Sequence, residues 1–132
     1  GQLLLIDDSY NANIDSVTAA LVALKQLAEG RRKVFVAGQM LELGDTSEQV
    51  HTRTAELAHE AGVSDILAIG EAARPLARRA RELGIATTYV DDADQALAMI
   101  DQIVPDFDAV LVKGSHSSGA WRIADYLKEV RA

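Results

Sequence analysis

Residues 3–13 read Leu-Leu-Leu-Ile-Asp-Asp-Ser-Tyr-Asn-Ala-Asn: an apolar run, Leu3 to Ile6, passes straight into a polar segment. A short apolar run without alternation is the signature of a buried strand. Just downstream, Val17, Ala20, Leu21, Leu24 and Leu27 recur at i, i+3 and i+4, which predicts an amphipathic helix stopped by Glu29, Gly30 and the basic Arg31 to Lys33. The alternation continues outward from there. Val34 to Ala37, Ile66 to Ile69, Thr87 to Val90 and Ala109 to Val112 predict further strands, and Ser47 to Ala61, Ala72 to Leu83, Ala93 to Ile103 and Ala120 to Val130 predict further helices. Parallel neighbours need crossover connections, so this order predicts an α/β class: a three-layer, Rossmann-like domain with a mostly parallel sheet of five or six strands.

The composition sets bounds on this domain. With 132 residues, 48% of them hydrophobic and 25% charged, the chain suits one compact domain and neither a disordered nor a collagen-like one. Lys and Arg number 13 against 20 Asp and Glu, a net charge of −7, which disfavours nucleic acid as a partner. The nearest basic cluster, Arg74 to Arg81, lies in one predicted helix between Glu71 and Glu82. Without cysteine there is no disulfide, thiolate metal site or Cys nucleophile, and a cytoplasmic location is permitted. No apolar run approaches the roughly 20 residues of a membrane span. The chain opens on Gly1 without a signal-peptide pattern, and the expectation is a piece of something longer.

In parallel sheets ligands bind beyond the carboxyl ends of the strands, which directs attention to three segments. Asp7 to Asn13 gathers two carboxylates, a hydroxyl, a phenol and two amides between a strand and a helix. Either Asn13 or Asp15 caps the helix and the rest face water, or the set binds a ligand, since a carboxylate accepts paired hydroxyls such as those of a ribose. Gly38-Gln39-Met40-Leu41-Glu42-Leu43-Gly44-Asp45 has glycine near both ends, and its apolar residues serve equally well as a plug for the core. Lys113-Gly114-Ser115-His116-Ser117-Ser118-Gly119 leads into the last helix, whose N-terminus favours an anion. His51 and His59 fit no metal pattern and read as ordinary surface or half-buried residues; Trp121 reads as packed on the sheet edge.

Several chemistries are missing. No lysine follows a glycine, so there is no G-x-x-x-x-G-K-[ST] phosphate loop; neither G-x-G-x-x-G after the first strand nor G-x-S-x-G is present. What remains is the set of three strand-end motifs in order. Asp7-Asp8-Ser9-Tyr10-Asn11-Ala12-Asn13 with Asp15-Ser16, then Gly38-Gln39-Met40-Leu41-Glu42-Leu43-Gly44 with His51, then Lys113-Gly114-Ser115, together resemble the C-terminal domain of the Mur ligase family across essentially the whole chain. Tyr10-Asn11-Ala12-Asn13 resembles the branch that adds D-alanyl-D-alanine, other branches carrying a D-Y-A-H type motif there. Gln39, His116 and Ile14 depart from that branch, which usually has an acid, an arginine and a proline.

The resemblance implies residues 1–132 as the C-terminal domain of a three-domain enzyme, an ATP-dependent amide ligase joining D-Ala-D-Ala to UDP-N-acetylmuramoyl-tripeptide in peptidoglycan precursor synthesis. The partners it implies are those two substrates and the missing N-terminal and central domains, with ATP phosphates and Mg held mainly by the central one. By the same resemblance Asp8, Tyr10, Asn11 and Asn13 would contact the nucleotide, with Asp8 on the ribose. Gln39, Met40, Leu41, Glu42, Leu43, Lys113, Ser115 and His116 would serve the dipeptide, a cation meeting its carboxylate. No catalytic residue and no metal ligand is expected in this chain, and alone it should not catalyse. The alternatives are a receiver-like signalling domain, which has an acidic pair and a late lysine but needs a third Asp after the central strand, and a non-catalytic binding domain.

Overall fold

The computed structural model describes residues 3–9, 12–104 and 108–131. Five strands, β1 (Leu4–Asp8), β2 (Lys33–Gly38), β3 (Asp65–Ile69), β4 (Ala86–Val90) and β5 (Ala109–Lys113), form one sheet in the order β1-β5-β2-β3-β4, every neighbour parallel. Five helices alternate with them: α1 (Ile14–Leu27), α2 (Ser47–Glu60), α3 (Arg74–Glu82), α4 (Ala93–Ile103) and α5 (Ala120–Val130). The expected α/β sheet is therefore present with five strands among the described residues.

The layering follows from the handedness of crossovers. From β1 to β2, β3 and β4 the chain steps in one direction across the sheet, so right-handed connections put α1, α2 and α3 on the same face. From β4 it returns to insert β5 between β1 and β2, which sends α4, and after it α5, to the other face. Central strands need apolar residues on both sides, and β5 is buried along its whole length. Ala109 and Leu111 pack with Phe35 and Leu24 under α1 to α3, whereas Val110 and Val112 pack with Val36, Ile123 and Leu127 under α4 and α5.

Local signals set the helix boundaries. Asn13 caps α1 in a capping box, its Oδ1 accepting from the Ser16 N–H at 2.9 Å while the Ser16 hydroxyl takes the Asn13 N–H at 3.2 Å. Helix α3 begins at Arg74, later than its apolar pattern suggests, because Glu71–Ala73 form a 3-10 turn after Gly70 and Pro75 fits the first turn of a helix. At the amino ends of the strands Arg32 joins Asp65 at 2.8 Å and Asp108 at 2.7 Å. The hydrogen bond to Asp108 is the main reason its pKa is raised.

The carboxyl ends of β2 and β5 approach more closely than side chains allow. A Cβ on Gly38 would stand 2.3 Å from Ser118 Oγ, and one on Gly114 would stand 2.7 Å from Gly38 Cα. Gly114 also has φ +153°, where L-residues are strained. Gly38→Ala is expected to lower stability by about 2–4 kcal/mol through overpacking against the buried side chains of Ser118 and Ala120. Gly30→Ala, at φ +82° with nothing within 4 Å, should lose only about 1 kcal/mol. Urea midpoints at unchanged m-value measure both; equal losses would refute the close-approach account.

Candidate functional site

Strand alternation sends the two aspartates at the end of β1 to opposite faces. Asp7 faces α5, pairs with Lys128 and accepts from the Ser9 hydroxyl at 2.6 Å. Burial alone would raise its pKa, but the hydrogen bonds from Lys128 and Ser9 hold it below the ordinary carboxylate range. Asp8 faces α1 and stands in register with Lys113 on β5. The Lys113 ammonium donates to Asp8 Oδ2 at 2.9 Å and to Ser16 Oγ at 3.1 Å. The lysine side chain is 2% exposed and the aspartate 44%, so the cation is enclosed while its counter-ion opens to solvent.

This cluster occupies a switch point of the sheet, where the chain leaves β1 toward one face and β5 toward the other. Next to it, the segments after β2 and β5 are sewn together. The Ser115 N–H donates to the Gln39 carbonyl at 3.0 Å, and the Leu41 N–H donates to Ser115 Oγ at 2.9 Å. Ser118 Oγ donates to the Ser115 carbonyl at 2.6 Å and accepts from the Ala120 N–H at 3.2 Å, closing the turn into α5. Leu41, Glu42, Ser115, His116 and Ser117 line a shallow depression of about 380 Å³. Glu42, with φ +62°, is the one non-glycine at positive φ among the described residues, a strained conformation at the rim of that depression.

The expected site residues thus separate into groups. Asp8 and Lys113 meet at β1, and Leu41, Glu42, Ser115 and His116 share the depression. Lys113 lies with Asp8 and outside the lining of the depression. Asn13 is occupied as the cap of α1. Gln39 turns the other way, its Oε1 accepting from the Ala72 N–H at 3.0 Å against Gly70. Met40 is buried and Leu43 half-buried against the core, which is the plug that three apolar residues foretold. Tyr10 and Asn11 lie outside the described residues.

One sequence reading needs correction. His51 is neither surface nor half-buried: it is fully buried, its Nε2 accepting from the Met40 N–H at 3.0 Å and its Nδ1 facing the Ser47 carbonyl at 2.8 Å. This arrangement fixes the neutral tautomer protonated on Nδ1. Burial pushes its pKa down, opposed by the bond to Ser47. Trp121 lies in the first turn of α5, as read, and stacks on His116, ring centroids 5.4 Å apart and planes within 2°. Sequence spacing gave no warning of His51 because its partner is a backbone N–H on another segment. Among the described residues no group of three or more His, Cys, Asp or Glu is placed to hold a metal, and no helix is long and apolar enough to cross a membrane.

Comparison with known proteins gives a consistent result. Residues 1–116 match the family described as Mur ligase, glutamate ligase domain. The UDP-N-acetylmuramoyl-tripeptide--D-alanyl-D-alanine ligase of Mycobacterium leprae (strain TN) is 36% identical over 93% of this chain, and that of Escherichia coli (strain K12) 33% over 96%. This chain spans 27% of each, about a quarter of their length. A crystal structure of MurF from Acinetobacter baumannii superposes with a TM-score of 0.81 at 30% identity, covering 98% of this chain and 29% of that one.

Two outcomes follow from this geometry. Asp8→Ala strips the enclosed Lys113 of its counter-ion and should cost about 3 kcal/mol, whereas Lys113→Met leaves a half-exposed carboxylate and should cost clearly less. Chemical denaturation of both variants checks the asymmetry, and the reverse order would refute it. His51 contributes fully above its unfolded pKa near 6.5 and loses its contribution as pH falls below that, because the unfolded state takes up the proton first. The acid side of a stability–pH curve should therefore be shallower in His51→Gln, which should also lose about 1–3 kcal/mol at neutral pH.

Proposed function

This chain belongs to the Mur ligase family, and from that membership we propose that it is the C-terminal domain of an ATP-dependent ligase joining D-alanyl-D-alanine to UDP-N-acetylmuramoyl-tripeptide. The observation that carries the site assignment is the Asp8–Lys113 pair. Lys113 engages Oδ2, yet the carboxylate stays 44% exposed and so retains acceptor capacity beside the switch-point crevice. In this proposal Asp8 accepts the ribose hydroxyls of the nucleotide and Lys113 is the positioning residue that fixes its orientation. The depression lined by Leu41, Glu42, Ser115 and His116 receives the dipeptide side.

The reaction explains why such a domain is useful. The tripeptide carboxylate takes the terminal phosphoryl group of ATP, the dipeptide amine attacks the acyl phosphate, and phosphate leaves. An acyl phosphate must be kept from water until the amine arrives, and a domain that closes over the site does this. The chain carries no G-x-x-x-x-G-K-[ST] phosphate loop, so the proposal assigns the ATP phosphates, and magnesium with them, mainly to the remaining domains. We place the reaction in the cytoplasm, where ATP is available. The receiver alternative is set aside because β3 ends at Ile69 and continues into Gly70 without the acceptor aspartate.

The test uses the full-length protein with ATP, D-Ala-D-Ala and UDP-N-acetylmuramoyl-tripeptide. ADP, phosphate and the UDP-linked pentapeptide are expected in equal amounts, and none from this chain alone. Asp8→Asn should raise the KM for ATP about tenfold with a smaller change in the KM for D-Ala-D-Ala. Absence of pentapeptide from the full-length protein would overturn the reading.

A further inference from the structure

At the far edge of the sheet from Asp8, α3 and β4 frame a cleft of about 600 Å³ lined by Arg74, Ala77, Arg78, Arg81, Glu82 and Tyr89. Arg74, Arg78 and Arg81 repeat at i, i+4 and i+7, so one helix face carries three cations in a chain of net charge −7. Like charges at such spacings destabilise a helix. The arginines that serve the fold are held tightly: Arg32 reaches Asp108 at 2.7 Å, Arg122 reaches Asp94 at 2.7 Å and Arg131 reaches Asp101 at 2.9 Å. Those of the cleft are held at longer range. Arg74 lies 3.5 Å from Asp91 and 4.4 Å over the Tyr89 ring, Arg78 lies 3.7 Å from Glu48, and Arg81 lies 3.4 Å from the Thr87 carbonyl. The floor is incomplete as well, since the Tyr89 hydroxyl is buried with no hydrogen-bond partner among the described residues. Burial pushes the phenol's pKa up, and the Asp91 carboxylate beside it acts in the same direction.

Strand β4 bounds this cleft and has no neighbour on its outer side among the described residues. The Ala86 N–H donates to the Ser64 carbonyl at 3.2 Å and the Val90 carbonyl accepts from the Gly70 N–H at 3.0 Å, so residues of that parity bond inward toward β3. Thr87 and Tyr89, of the opposite parity, therefore present both N–H and C=O at the open edge. Arg81 already reaches one of these carbonyls, at Thr87.

We propose that β4 and the arginine face of α3 form a docking site for an extended acidic segment of a partner protein, added to the sheet as a strand beside β4. Main-chain bonds to Thr87 and Tyr89 would hold it, and carboxylates on the side facing α3 would meet the arginines. The spacings agree: Arg74 to Arg78 is roughly 6 Å along the helix axis, and alternate residues of a strand repeat at roughly 6.6 Å. The competing account is that the arginines only guard an edge strand against unwanted pairing, which needs charge but neither a cleft nor an added strand. This inference is independent of the ligase reading.

The test titrates this chain with a ten-residue peptide of alternating Glu and Val, with its Lys-for-Glu counterpart and inorganic phosphate as controls, followed by amide NMR and calorimetry. The acidic peptide is expected to bind, to slow hydrogen exchange at the Thr87 and Tyr89 N–H groups, and to weaken as salt rises. R78E/R81E should lower its affinity about tenfold or more, and Thr87→Pro, which removes an outward N–H without touching the bonds to β3, should do the same. Should Thr87→Pro unfold the chain, exchange protection in the unaltered protein decides alone. No binding, equal binding of phosphate or of the Lys peptide, or binding without protection at Thr87 and Tyr89 would each overturn the proposal.

Discussion

An ammonium enclosed in protein has to be satisfied where it stands, and Lys113 is such a group at 2% exposure on the strand between β1 and β2. Removing a charge from water costs several kcal/mol, which only a matched counter-ion and further hydrogen bonds can offset. Asp8 and Ser16 supply them, and with them come the register of β1 against β5 and the position of the first turn of α1. The positive end of that helix repels a nearby cation, so Asp8 must outweigh the dipole as well as the lost hydration. Breaking β1 away from β5 would expose the cation's partners and the capping box together.

The same pair divides the site. Because residues along a strand alternate between faces, Asp8 and Lys113 share the α1 side while Asp7 turns to Lys128 on α5. The depression at Leu41, Glu42, Ser115 and His116 is built separately, by backbone bonds between the segments after β2 and β5. Those bonds depend on Gly38 and Gly114 letting two chain segments approach at backbone distance. His51 holds the same loop from behind through the Met40 N–H, so a buried neutral imidazole stiffens a segment that has no regular structure until Gly44–Thr46. Rigid support behind a strained Glu42 is the arrangement expected where a loop must keep one shape to receive a ligand.

The strands and helices were legible in the sequence because burial on two faces leaves unbroken apolar runs, as in Val34 to Ala37 and Ala109 to Val112, and burial on one face leaves the period of Val17, Ala20, Leu21 and Leu24. The direction of crossover then follows from chain handedness rather than from any single residue. The structure separates the three strand-end motifs into two places: Asp8 of the first meets Lys113 of the third, and Leu41 and Glu42 of the second line the depression with Ser115 and His116. What did not show in the sequence was partner choice. A lysine that ends a buried strand reads equally well as a ligand for an anion or as the mate of a carboxylate one strand away, and only register, Asp8 opposite Lys113, decides between them. His51 was misread for the same reason, its partner being a main-chain N–H that carries no sequence signature.

Arginine placement extends this reasoning to the whole surface. Arg32 and Arg131 each tie a charge to a carboxylate and a main-chain carbonyl at the amino ends of the strands, geometry that stabilises the fold. Arg79 binds two carboxylates, Glu56 of α2 and Glu82 of its own helix. One turn around the same helix, Arg74, Arg78 and Arg81 make only contacts of 3.4 Å or longer, beside the sheet edge that nothing covers among the described residues. Surface pairs of that length contribute little to stability. Fold stability therefore accounts for Arg79 and little for the other three, while recognition of an acidic strand accounts for their row, their spacing and the outward-facing main chain of Thr87 and Tyr89 together.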